Sequence, residues 1–336
     1  MSLLSKLFGK KKEKDREEEK ELETPKPVVS GDEPFIVGVL SGKGGCGKST
    51  ITANTIVLLS VLYGKVIGID MDITNATLTQ MMFSMTPDVL KQDDRISTID
   101  YMVEGATEYS LYKIEFPPNA RFNIQVAKKK GLGVAAKDIY FLPAKKATAS
   151  YERNLSALAH LQRDEIRNSL QELYVNVLSF AKKRGAKYIV FDFPPLRPDQ
   201  RKVYEGVFVL LEQIPNFIMV SSFDYAAIHG LVAVLSQRYS YLKPRTLGFF
   251  INMAINDPDT IDRIRKYIDT IYGGSRTFFI RRDPRWTVTI IPPIVLGDPS
   301  EGAHADLINA LVKVGMIKAE DVQKVLDFNP LEIETF

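Results

Sequence analysis

Nine consecutive residues, Gly42-Lys43-Gly44-Gly45-Cys46-Gly47-Lys48-Ser49-Thr50, carry the strongest chemical signal in the chain. Glycines at four of these positions let main-chain N–H groups turn inward and approach phosphate oxygens with no Cβ in the way. Lys48 suits neutralisation of β- and γ-phosphate charge, and Ser49 offers a hydroxyl to Mg²⁺. A helix starting there would present its positive N-terminus to the same anion. The context agrees: Phe35 to Leu40 is a short apolar run, and Ile51, Ile56, Leu59 and Leu62 recur at helical spacing. Strand, glycine loop and helix together predict a nucleoside triphosphate site. A glycine-rich turn with no ligand is the bland alternative, and the Gly-Lys-Ser ending argues against it.

Two further carboxylates close apolar runs. Ile69-Asp70-Met71-Asp72 ends one, and Tyr188-Ile189-Val190-Phe191-Asp192 ends another. In open α/β sheets ligands gather at the carboxyl ends of strands, so both are candidates for phosphoryl chemistry. A helix N-cap or a loop carboxylate is the alternative for either. Phosphoryl transfer asks mainly for positioning and charge stabilisation. No strong general base is evident, so slow turnover is expected.

The elements that must hold these residues alternate along the chain. Further strands are predicted at Val66 to Asp70, Phe122 to Val126, Ile139 to Leu142, Phe217 to Val220, Leu247 to Ile251 and Val288 to Ile291. Helices are predicted at Ser49 to Tyr63, Arg163 to Arg184, Tyr225 to Tyr239, Pro258 to Tyr272, Ala305 to Val314 and Ala319 to Leu326. The expected fold is α/β in three layers, a mostly parallel twisted sheet with helices on both faces. Residues 1–34 read as a charged tail, 35–318 as the nucleotide domain and 319–336 as a C-terminal helix and tail. The stretch 101–162 is a loop excursion of open role.

At 336 residues and 45% hydrophobic content the chain can bury a sizeable core. Its net charge of +3 marks no global nucleic-acid binder, although a local basic patch remains open. With Cys46 the single cysteine, an intramolecular disulfide and a cysteine-built metal centre within one chain are excluded, and a reducing cytoplasm is expected. No apolar run reaches membrane-spanning length, and the start lacks the layout of a secretory signal.

The second lysine before two glycines, Lys43-Gly44-Gly45-Cys46-Gly47-Lys48-Ser49-Thr50, resembles the ParA/MinD family of deviant Walker ATPases. The resemblance runs from about Phe35 to Val314. It implies that Lys43 reaches across an ATP-bound homodimer to the partner's phosphates, with a solvated loop lysine as the alternative. It also implies that Asp72 lies in the first switch and orients the attacking water, and that Asp192 holds Mg²⁺ partly through water, together with Ser49. Pro194 and Pro195 follow as in many relatives, whereas Leu196 and Arg197 depart from the usual glycine. Gly248 to Asn252 ends a strand with asparagine, as family members do where the side chain contacts adenine, and no Asn/Thr-Lys-x-Asp element reads guanine. Pro292, in Ile291-Pro292-Pro293, resembles the next base-lining position. Asn252 could equally cap the following helix. Iron-sulfur carriers sharing this loop use paired cysteines, which the lone Cys46 argues against.

What remains is spatial organisation, in which ATP-bound dimers grip a surface and an unidentified protein stimulates hydrolysis. For nucleoid DNA, the favoured surface, Arg276, Arg281, Arg282 and Arg285 with Phe278, Phe279 and Trp286 interleaved would give salt-sensitive phosphate contacts. Lys243, Arg245, Arg263, Arg265 and Lys266 could extend them; a solvated face beside a mixed hairpin is the alternative. For a membrane, Leu3, Leu4, Leu7 and Phe8 would share one side of a short helix beside Lys6 and Lys10 to Lys12, a peripheral anchor needing dimerisation to hold. A disordered charged terminus is its alternative. A scaffold that binds nucleotide without useful hydrolysis is the reading from another class.

Overall fold

The computed structural model describes residues 33–83, 97–104, 111–114, 139–144, 149–196, 206–273, 276–284, 286 and 302–326. Its strands are β1 (Phe35–Ser41), β2 (Val66–Asp70), β3 (Tyr112–Ile114), β4 (Ile139–Leu142), β5 (Tyr188–Asp192), β6 (Asn216–Ser222), β7 (Thr246–Ala254) and β8 (Thr277–Arg281). The helices are α1 (Lys48–Tyr63), α2 (Thr77–Phe83), α3 (Thr98–Glu104), α4 (Ala149–His160), α5 (Arg163–Arg184), α6 (Tyr225–Arg238), α7 (Pro258–Tyr272), α8 (Gly302–Lys313) and α9 (Ala319–Leu326).

Among the described residues these strands form one sheet in the order β3-β4-β2-β5-β1-β6-β7-β8. All neighbours are parallel except the edge pair β3 and β4. The parallel strands read as near-continuous apolar runs because both of their faces are covered. Alternation along β1 shows how: Phe35, Val37 and Val39 join α1, α8 and α9 in one core, while Ile36 and Leu40 join α5, α6 and α7 in the other. The fold is therefore three layers with two cores, as the sequence predicts. β1 is central, with β5 on one side and β6 on the other, so the chain reverses direction across the sheet there and opens a crevice at the carboxyl ends.

Helix boundaries follow local chemistry. In α5 the buried stripe Ile166, Leu170, Leu173, Val177 and Ala181 recurs at three- and four-residue steps. Its start is closed by the Glu165 carboxylate, which accepts from Gln162 N–H at 2.7 Å, and Gly185 ends it at φ 67°. By contrast α1 is buried almost all round between Lys48 and Ser60. α9 closes onto α1: Lys318 N–H donates to the Tyr63 hydroxyl at 3.0 Å, and Val322 packs on the α1 core.

Two strands departed from expectation. β3 is three residues long, too short for an alternation to register. β8 occupies the arginine segment read as a DNA-contact patch, with a solvated face beside a mixed hairpin as the alternative; it pairs in parallel with β7 through Phe249↔Thr277, Phe250↔Phe278 and Ile251↔Phe279. The strands expected at Phe122 to Val126 and Val288 to Ile291 lie outside the described residues.

Candidate nucleotide site

The crevice holds a cavity of about 470 Å³ lined by the loop from Lys43 to Thr50, by Asp72, Asn75 and Thr77, by Pro195, and by Met253 and Trp286. Its floor is the phosphate loop, whose Gly45 and Gly47 adopt φ of 78° and 82°. At Gly47, the residue before α1, an added Cβ would collide with the Asn252 side-chain nitrogen. Glycine is thus required there by backbone sign and by space alike. The Asn252 amide donates to the Cys46 carbonyl at 3.0 Å, so this side chain clamps the loop from β7. Cys46 faces inward, its thiol 3.8 Å from the Val220 carbonyl, and burial raises its pKa.

Three side chains of α1 converge on Asp192. Lys48 Nζ lies 2.7 Å from Oδ2, with 6% and 0% of the two side chains exposed. The Ser49 hydroxyl donates to Oδ2 at 2.8 Å and Thr52 Oγ1 to Oδ1 at 2.7 Å. Burial alone would depress the Lys48 pKa, but the Asp192 carboxylate beside it, with Asp70 and Asp72 further off, holds it above the ordinary lysine value. Phosphate oxygens entering the loop would compete with Asp192 for this ammonium. The Ser49 hydroxyl and Asp192 carboxylate are hard oxygen donors side by side, a set that fits Mg²⁺. When bound there, Mg²⁺ would offset phosphate charge.

Asp70 and Asp72 divide their work. Asp70 accepts from Thr79 N–H and Thr79 Oγ1, each at 2.8 Å, and from Asp72 N–H at 3.0 Å. It therefore ties the turn after β2 to the sheet. Burial pushes its pKa up to about 7, and the neighbouring Asp192 charge adds to this, against the Thr79 bonds and Lys48. Asp72 borders the cavity, 4% exposed, and is gripped by Asn75 through N–H at 3.1 Å and Nδ2 at 3.0 and 3.2 Å. Ala76 completes this turn at φ 51°, an uncommon conformation for a residue with a Cβ.

Lys43, unlike Lys48, is exposed. Its side chain is 62% exposed, with Nζ 3.8 Å from Oδ2 of Asp224, the N-cap of α6. A surface pair of this kind is worth at most about 1 kcal/mol and is readily exchanged. Thr52, Asn75 and Asp224 are not singled out as site residues by the sequence reading, and Trp286 enters it only as part of the basic surface patch. Thr52 had a readable signal, since it stands one helical turn beyond Lys48.

The basic residues are largely engaged within the fold. Arg281 forms a two-pronged pair with Asp306, at 2.8 Å from Nε and 3.0 Å from its terminal nitrogen. Arg276 donates to the Thr246 carbonyl at 3.2 Å, Lys266 pairs with Asp262 at 2.6 Å, and Arg245 donates to the Leu211 and Ile214 carbonyls at 2.8 Å. Arg282 borders a recess with Asn252 and Asp283. Trp286, read as part of the surface patch, is 9% exposed and belongs to the cavity wall; its backbone N–H donates to the Asp283 carbonyl at 3.0 Å. Arg285, Pro292, Leu3, Leu4, Leu7 and Phe8 lie outside the described residues. Among those described, no helix is long and apolar enough to cross a membrane, and no cluster of three or more metal-ligating side chains occurs.

A parallel sheet with a glycine loop between its central strand and a buried helix, and with carboxylates on the adjoining strand ends, defines a phosphate-loop nucleotide-binding domain. Residues 37–288 match the family model described as the CobQ/CobB/MinD/ParA nucleotide binding domain, so the chain belongs to that family. The septum site-determining protein MinD with Mg-ADP from Pyrococcus horikoshii superposes with a TM-score of 0.56 at 19% identity, covering 86% of this chain and 98% of that one. A McdA–ATP complex from Cyanothece gives 0.57 at 14%, covering 85% and 98%. A chain of the MinC:MinD cell division complex from Aquifex aeolicus gives 0.55 at 16%, covering 84% and 97%. At these identities the likeness establishes the fold. No curated protein matches the chain significantly in sequence.

Proposed function

We propose that this chain is a slow, Mg²⁺-dependent ATPase that dimerises with ATP and cycles on and off a surface, nucleoid DNA in the first instance, to partition DNA or position a complex. The observation that carries the reading is the contrast between the two loop lysines. Lys48 is buried on Asp192, whereas Lys43 is 62% exposed on the rim of the same cavity, paired with Asp224 at 3.8 Å. A lysine so placed can reach a phosphate held by a second copy. In hydrolysis Lys48 and Lys43 would stabilise charge on the phosphate oxygens, Ser49 and Asp192 would hold Mg²⁺, and Asp72, steadied by Asn75, would orient the water.

Among the described residues Arg276, Arg281 and Lys266 are each paired within one copy, so DNA binding would draw on cations contributed by both copies of the dimer. The test pairs two variants. Asp72→Ala should retain ATP-dependent dimers and lose about a hundredfold in turnover. Lys43→Ala should bind ATP yet sediment as a monomer. Dimers that form equally well without Lys43 would overturn the trans role, and a wild-type chain with no ATPase rate to lose would make this a nucleotide-binding scaffold. Co-sedimentation with duplex DNA or anionic liposomes then separates the surfaces: liposome binding lost on removing residues 1–12 replaces the DNA reading with a peripheral membrane one.

A further inference from the structure

The two cavities of the site share one wall and differ in the rest. Asp72, Asn75 and Thr77 border only the larger, and Asn252, Arg282 and Asp283 only a recess of about 30 Å³. Gly47, Thr50, Met253 and Trp286 border both. The oxygen-rich side, with Ser49 and Asp72, is where phosphate charge is handled. A nucleotide is a linear ligand, so the end opposite its terminal phosphate must leave the loop on another side. Met253 and Trp286 offer the apolar and aromatic surface there.

Trp286 is the only tryptophan in the chain, and its pose is fixed from behind. The indole Nε1–H donates to His304 Nε2 at 3.4 Å, and the two rings meet edge-on, 5.6 Å apart at 71°. His304 is itself fully buried on α8. Asn252, the other base-contact candidate, commits one amide N–H to the Cys46 carbonyl and offers a base the polar edge of an amide, not a stacking face. A phosphate loop binds any triphosphate alike, so affinity for the base has to come from a different contact.

We propose that Trp286 is the residue against which the nucleotide base stacks, a role that rests on the nucleotide reading of the loop. A flat π-face held in place by packing loses little freedom on binding, and it accepts every base. Such stacking contributes affinity and leaves the choice of base to other groups.

The experiment compares Mg-ATP with Mg-tripolyphosphate by equilibrium dialysis and by the fluorescence of the single tryptophan. ATP should change the wild-type emission and tripolyphosphate should not. Trp286→Ala should weaken ATP about tenfold while tripolyphosphate binding holds, and Trp286→Phe should restore most of the loss. Equal weakening of both ligands in the alanine form would mean that Trp286 merely braces the loop, and would overturn the proposal. So would ATP binding by dialysis with no base-dependent change in emission. A wild-type protein that binds neither ligand would instead remove the nucleotide reading, and this proposal with it.

Discussion

Asp70 is the side chain whose charge state the fold alters most legibly. Its carboxyl stands at about 7 against an ordinary 3.8, because it is buried beside Asp192. Between those values the folded chain keeps a proton that the unfolded chain has released. Its contribution to stability is therefore fully present below about pH 4 and is lost as pH rises through about 7. Asp70→Asn should flatten that part of the profile. Denaturant midpoints for both forms, taken across this window without nucleotide or Mg²⁺, check it; parallel profiles would show that Asp70 is ionised throughout. The residue types here were legible from sequence, since Lys48, Ser49, Asp72 and Asp192 all border or underlie one cavity. The partner of each was not: nothing in the sequence says that Asn75 grips Asp72 or that Asn252 holds Cys46, as those are bonds made by folding.

At the scale of elements, helix starts tie the site to the scaffold. Asp224 caps α6 by accepting from Ala226 N–H at 3.1 Å and also faces Lys43. Asp224→Ala should cost about 1 kcal/mol of stability through the lost cap. Asp224→Ser should recover the cap without the charge, so thermal melts separate the two jobs: equal destabilisation by both changes would mean that the ion pair, not the cap, is what α6 relies on. Helices α5, α7 and α9 ran as read, because periodic apolar stripes and capping residues are local properties. The segment containing β8 misled for an equally physical reason. Its arginines suggest a wet surface, yet Thr277 and Ile280 are buried and Arg281 is neutralised across the chain by Asp306.

For the whole molecule, that neutralisation sets how a charged surface would behave. Removing both members of the pair, as Arg281→Ala with Asp306→Ala, should leave the salt dependence of ATP-dependent DNA binding unchanged. Arg282→Ala should lower the slope of log affinity against log salt by about one per subunit. A fall in slope with the double variant would mean that Arg281 leaves Asp306 to meet phosphate. The sheet order explains why Arg282 borders the recess beside the loop: β8 pairs with β7, and its end adjoins the end of β7 that carries Asn252.

By itself the sequence determined the class of fold and the chemistry of the loop, because glycine spacing, a following helix and carboxylates at strand ends are written in short stretches of chain. The bounds of β2 and β4 were legible as well: β4 is apolar, β2 is uncharged up to its closing Asp70, and every residue of both is buried. Only the tertiary structure decided which lysine is buried and which exposed, which arginines are already paired, and that Trp286 lines the nucleotide cavity and not the outer surface. Burial and pairing depend on partners far away in the chain: Lys48 and Asp192 are joined across two strands and Trp286 leans on a helix that follows it, and no local pattern of residues encodes such distances.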